Sequence, residues 1–194
     1  MKIWTQYVAF GKALKGYYVA YGGVTSVITS PIFGLSLAIT LLSYENWQKA
    51  QWVAQAQSIL PNMLGFSLGT YSVLLSLLSE KLRVALATVG NGPKASYLSM
   101  MNATFFHFIF VQIIALLWSF LYQGSWAVDL FYSLDQSWFP GAYRYFFIAM
   151  ASGSFIGHLL LVYSLALTIS AALAMYRVAS LRDKEQQEQP SEPK

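Results

Sequence analysis

The sequence predicts an all-α, polytopic integral membrane protein with four transmembrane helices and an N-terminal interfacial amphipathic helix, and three observations carry the prediction. Of 194 residues, 56% are hydrophobic and 10% charged, against roughly 45–50% apolar and about 25% charged in soluble domains. Charges are missing from four windows, residues 16–44, 50–79, 95–128 and 145–176. Each window exceeds the roughly 20 residues that a helix rising about 1.5 Å per residue needs to cross about 30 Å of hydrocarbon. Finally, in a four-span arrangement ten of the twelve basic residues fall on one side, leaving Lys49 and Arg144 on the other. That asymmetry is a positive-inside signal placing both termini in the cytoplasm. The spans expected are residues 21–43, 59–79, 98–122 and 145–176, giving three regions: 1–20, an interfacial helix; 21–176, the membrane domain; and 177–194, a charged cytoplasmic tail.

The first element has Ile3, Trp4, Tyr7, Phe10, Leu14 and Tyr18 on one helical face and Lys2, Thr5, Gln6 and Lys12 opposite. This pattern suits a helix lying in the headgroup layer. The Met-Lys start is read as retained, because lysines persist to Lys15 and no small-residue cleavage site follows the first apolar run. Gly22 and Gly23 give the chain a place to turn into the bilayer. Within the first span, Gly22, Ser26, Ser30, Gly34 and Ala38 recur every four residues and form a small-residue ridge along which backbones can approach. Pro31 removes one helical hydrogen bond and is expected to kink this span.

Trp47 and Trp52 in the following outer loop suit the membrane boundary. Pro61 is placed in the first turn of the second span, and Gly65 and Gly69 then form a GxxxG continued by Ser72, Ser76 and Ser79. The inner loop carries Glu80, Lys81, Arg83 and Lys94, with a tight turn expected at Asn91, Gly92 and Pro93. The third span is bulky and aromatic, with Asn102, His107 and Gln112 as its polar members; at 100° per residue these three do not share a face. The outer loop after it is dense in Trp, Phe and Tyr, from Trp126 to Tyr143, as in an aromatic belt or a contact surface. The last span carries Ala149, Gly153 and Gly157 at four-residue spacing, and its excess length implies tilt or projection into the cytoplasm. From Asp183 onward the chain is charged and rich in Gln, Glu and Pro, a composition that does not support a packed fold.

Little in this inventory is reactive. There is no cysteine, so disulfides, thiol redox chemistry and thiolate metal sites are excluded. No nucleophile stands beside a base, no carboxylate lies within a span, and no phosphate loop, zinc motif or nucleic-acid motif occurs. The sequence therefore names no catalytic, cofactor or metal residue, and neither an enzyme nor an ion-coupled transporter is expected. His107 and His158 are the ionisable groups at membrane depth, and with Asn102 and Gln112 they form a candidate intramembrane polar switch. Four roles stay open for the histidines: hydrogen-bonding glue between helices, a proton-responsive switch, the lining of a pore, and axial haem ligation. The glycines Gly34, Gly65, Gly69, Gly153 and Gly157 are candidates for helix packing, including packing against a second copy. Lys81, Arg83, Lys94, Arg177 and Arg182 are candidates for contact with a cytoplasmic partner or with lipid headgroups.

In length, four spans, inside termini and absence of catalytic residues, the chain resembles the small membrane subunits of bacterial immune systems, such as the transmembrane component of the Kiwa antiphage system. The resemblance covers the topology as a whole and no individual residue. It implies a homo-oligomeric membrane sensor that holds a soluble effector on its cytoplasmic side. The function expected is thus a homo-oligomeric inner-membrane scaffold or sensor subunit that recruits a cytoplasmic protein; the alternative is a homo-oligomeric channel or membrane-depolarising effector.

Overall fold

The computed structural model describes residues 3–89, 96–134 and 141–187. Among the described residues all regular structure is helical: α1 (Ile3–Tyr21), α2 (Gly23–Ile28), α3 (Pro31–Leu42), α4 (Tyr44–Gln48), α5 (Trp52–Leu77), α6 (Glu80–Thr88), α7 (Tyr97–Gln123), α8 (Trp126–Ser133) and α9 (Ala142–Gln187). Three stretches are long and apolar enough to cross a membrane: Trp52–Leu77 with 26 residues, Tyr97–Gln123 with 27, and Ala142–Asp183 with 42. The chain is therefore a membrane protein by helix length and composition. Helices that cross a membrane make their backbone hydrogen bonds within the helix, and serine hydroxyls along α3 and α5 also turn back onto their own helix. Ser36 Oγ donates to the Ile32 carbonyl at 2.8 Å and Ser72 Oγ to the Leu68 carbonyl at 2.9 Å, which lets serines sit in apolar surroundings.

The first apolar window is divided rather than kinked. Gly22 and Gly23 adopt φ of 102° and 80°, a left-handed conformation open to glycine without a Cβ penalty, and they separate α1 from α2. Ser30, just before Pro31, is non-helical, because proline's ring disfavours helical geometry in the residue that precedes it. Pro31 accordingly opens α3 instead of bending a continuous helix, and α3 has only 12 residues.

Pro61 differs in the other direction. It was expected in a first turn, but α5 begins at Trp52 and carries Pro61 in its interior. The sequence between Trp52 and Ser58 reads as loop because it holds Gln55, Gln57 and Ser58, yet Trp52, Ala56 and Leu60 are all buried at helical spacing, and that packing extends the helix. At the far end of α9 the helix runs through Arg177 and Arg182 to Gln187, so the first residues of the expected unstructured tail are helical; residues 188–194 lie outside the described residues. The expected turn at Asn91, Gly92 and Pro93, and the aromatics Trp138 and Phe139, also lie outside them. The basic loop is itself partly helical: Ser79 caps α6 by accepting from the Leu82 amide at 3.1 Å, and Glu80 sits in the first turn, both favourable at a helix N-terminus.

The chain divides into two compact units, and α5, α7 and α9 contribute to both. One unit comprises Met1–Ser30, Phe66–Ile109 and Leu167–Lys194, the other Pro31–Gly65 and Phe110–Ala166. In the first, Leu74, Phe105, Phe108 and Val178 are buried, with Tyr71 packed on Phe105 at 5.5 Å between ring centroids. In the second, the core is built on Trp52, Ala56, Leu60, Ala115 and Leu161, flanked by Trp47, Trp118 and Tyr122.

Candidate functional site

In the second unit the α9 small-residue ridge receives aromatic rings. A Cβ built on Gly157 would overlap the Trp52 ring and lie 2.8 Å from Trp118 Cδ1; one built on Gly153 would lie 3.5 Å from Tyr122 Cε2. The same surface supplies acceptors. Trp52 Nε1 donates to Ser154 Oγ at 2.8 Å, Ser154 Oγ donates in turn to the Trp47 carbonyl, Trp118 Nε1 donates to the Gly153 carbonyl at 2.9 Å, and the Tyr122 hydroxyl donates to the Met150 carbonyl at 3.1 Å. Trp47 donates to the Thr40 carbonyl at 3.1 Å and packs edge-on against Phe155 at 5.5 Å. Each indole N–H and phenol O–H thus has a partner where the ring is buried, as aromatic groups with a polar handle require. The result is an aromatic latch joining α4, α5, α7 and α9.

In the first unit a second cluster forms around His107. The Tyr17 hydroxyl lies 2.5 Å from His107 Nδ1, and Tyr21 stacks on the imidazole with centroids 4.1 Å apart and an interplanar angle of 25°. Phe106 meets the Tyr17 ring at 4.7 Å, edge-on. If the phenol donates, Nδ1 is the acceptor and the imidazole carries its proton on Nε2. The chemistry on offer is a shared hydrogen bond between two neutral groups. It ties the C-terminal turns of α1 to α7 and gives neither a nucleophile nor a charge pair.

The remaining candidates lie apart from these two clusters or contribute singly. Asn102 Oδ1 accepts from the Tyr71 hydroxyl at 3.4 Å, so Asn102 and His107 address different helices, α5 and α1. Gln112 and His158 belong to the second unit and are buried. His158 Nδ1 and Thr40 Oγ1 are buried side-chain atoms without a hydrogen-bond partner among the described residues. Among the described residues, nothing lies within 4 Å of a Cβ built on Gly34, Gly65 or Gly69. The Gly65–Gly69 ridge, with Ser72 and Ser76, is exposed on the face of α5 opposite its buried Leu60, Ser67 and Leu74. Lys81 and Arg83 are exposed on α6 and Arg177 on α9, Arg182 is half-buried, and Lys94 lies outside the described residues. No group of three or more His, Cys, Asp or Glu side chains able to hold a metal occurs among the described residues.

Tyr17, Tyr21 and Ser154 are the residues that sequence reasoning missed. A signal existed for the tyrosines: Leu14, Tyr17 and Tyr21 fall at i, i+3 and i+7, continuing the Tyr7 and Phe10 stripe, so the apolar face of α1 runs past Tyr18. Ser154 follows Gly153 and precedes Gly157 by three residues, but nothing local distinguishes a serine that joins two tryptophans from one that bonds its own helix. Comparison with known protein families, curated proteins and solved structures finds no match.

Proposed function

We propose that the protein is a homo-oligomeric membrane scaffold or sensor subunit that recruits a cytoplasmic protein. The observation that carries this reading is the Gly65–Gly69 ridge, exposed with open space at both glycines while the opposite face of α5 carries its buried residues. A glycine inside a helix costs roughly 0.5–1 kcal/mol relative to alanine, and among the described residues no contact at either glycine offsets that cost. Close approach of a second copy does so, because small residues let helix backbones meet in lipid.

The topology proposed has four crossings with both termini in the cytoplasm. Its first crossing is α2 and α3 taken together, because α3 alone, at about 1.5 Å per residue, reaches only about 18 Å. The charge asymmetry supports this orientation in an inner membrane, and α1 starts in the cytoplasmic interface, with Trp4, Tyr7 and Phe10 exposed, and enters the bilayer at its C-terminal turns, where Tyr17 and Tyr21 meet His107. Lys81 and Arg182 then face the compartment from which a soluble partner is recruited. A phage-defence setting is the biological context that the topology-level resemblance implies.

The test is mass measurement of the full chain in lipid nanodiscs, alone and with the products of adjacent genes. Wild type is expected as an oligomer that retains one soluble protein, and Gly65→Leu with Gly69→Leu as a folded monomer. A wild-type monomer that binds nothing sinks the proposal. A second reading, a homo-oligomeric channel, is favoured by the exposed Ser72 and Ser76 on the same ridge, since pores can be lined without fixed charge. Conductance across planar bilayers that is lost with Ser72→Leu separates this reading from the first.

A further inference from the structure

The first unit holds a groove of about 310 Å³ walled by α6, α7 and α9. Leu86, Met101, Leu173 and Leu181 supply apolar walls, Tyr97 stands at the N-terminal end of α7, and Arg177 lines the groove from α9. The volume falls at the lower end of the roughly 300–1,000 Å³ found for sites that enclose small molecules. From Arg177 to Ser170, both lining the groove, the rise along α9 is roughly 10 Å at 1.5 Å per residue, about two-thirds of one leaflet of a ~30 Å hydrocarbon core.

Charge sets the chemistry of the occupant. Arg177 is exposed and makes no ion pair among the described residues, where the Lys49–Glu45 contact is the salt bridge observed. Arg83 stands three residues before Leu86 on the same face of α6, also exposed. An apolar trough with a free guanidinium beside it matches a molecule having an extended hydrocarbon chain and a phosphate. Guanidinium binds phosphate oxygens through two parallel N–H bonds, and basic pockets between helices at the cytoplasmic face suit anionic headgroups.

We propose that this groove binds one anionic phospholipid, with an acyl chain running from Arg177 toward Ser170 between α7 and α9 and the phosphate on Arg177, assisted by Arg83. The site goes beyond the recruitment reading and does not depend on oligomerisation. It requires only that α7 and α9 lie in a bilayer.

The experiment is native mass spectrometry of the delipidated full chain titrated with palmitoyl-oleoyl phosphatidylglycerol, with the matching phosphatidylcholine, and with inorganic phosphate as competitor. Wild type should retain one phosphatidylglycerol with about tenfold preference over phosphatidylcholine. Arg177→Gln should bring that preference close to one, Ala174→Phe, which fills the trough, should lower retention of both lipids, and Lys49→Gln should change nothing. Melting of each variant verifies that it is folded; if Arg177→Gln is not, Arg83→Gln and Ala174→Phe decide the outcome. Equal retention of both lipids by wild type means an annular shell only and overturns the proposal. So does an unchanged preference in Arg177→Gln, or displacement of the lipid by inorganic phosphate. A monomer that shows the lipid preference fails the oligomer reading and leaves this one standing.

Discussion

The Trp52 indole occupies the space that any side chain at Gly157 would need. Trp52 is fully buried and held by its bond to Ser154, so the ring has no easy retreat. Gly157→Ala is therefore expected to destabilise the chain by about 1–3 kcal/mol, the usual cost of overpacking. Gly65→Ala has open space and should leave the monomer unchanged or up to about 1 kcal/mol more stable through helix propensity. Thermal unfolding of detergent-solubilised monomer measures both. Equal effects at the two glycines would contradict the placement of Trp52.

Ser154 serves two tryptophans at once, accepting from Trp52 Nε1 and donating to the Trp47 carbonyl. Ser154→Ala leaves a buried indole N–H without its acceptor, an expected loss of about 1–3 kcal/mol. Trp52 fluorescence, read in a variant whose other tryptophans are replaced, should shift to the blue as the hydrogen bond disappears. No spectral change would show that the bond is not formed in solution.

Tyr17 and His107 are 90 residues apart in sequence and joined by one short hydrogen bond. Tyr17→Phe keeps the ring against Phe106 and removes the hydroxyl; intramembrane side-chain hydrogen bonds average about 0.6 kcal/mol and reach about 1.7. Tyr17→Ala removes the ring as well and should cost more. Hydrogen exchange of α1 amides near Tyr17 and Tyr21 should quicken in the order wild type, Tyr17→Phe, Tyr17→Ala. Identical exchange in all three would mean that α1 is not anchored at His107.

These clusters show what was and was not legible in the sequence. Three membrane helices followed from the charge-free windows, because span length is fixed by bilayer thickness and composition records it directly. The break before Pro31 was half legible: proline announced a perturbation, but whether a helix bends or ends depends on the residue before it and on the neighbours that stabilise each piece. Pro61 misled for the same reason, since burial of Trp52, Ala56 and Leu60 overrode a local preference for the first turn. The small-residue ridges were visible as spacings. Spacing is silent on what a ridge meets: Gly153 and Gly157 receive aromatic rings, whereas Gly65 and Gly69 meet nothing among the described residues. His107 and His158 were singled out as ionisable groups at membrane depth, and only the folded chain supplies Tyr17 and Tyr21 to one of them.

His158 is buried with Nδ1 lacking a partner among the described residues. A buried polar atom left unpaired costs about 1–3 kcal/mol, and its replacement by an apolar group removes that cost. His158→Leu should accordingly raise the unfolding midpoint. If it also abolishes partner recruitment or conductance, the imidazole is retained at the expense of stability for what it does. A lowered midpoint would show that Nδ1 is bonded in the membrane, for instance to a buried water.

Pro61, well inside α5, has one more effect. Proline carries no amide hydrogen, so the Gln57 carbonyl one turn earlier receives no helical bond. An oxygen left bare in hydrocarbon is costly, and the side chain above it is already committed, Gln57 Nε2 donating to Gln123 Oε1 at 2.8 Å. The level of Gln57 is thus where the span is expected to draw in water. An isotope-labelled carbonyl placed there should vibrate at the frequency of a hydrated amide while its neighbours along α5 vibrate as dry helix, a spectroscopic depth mark written into the backbone.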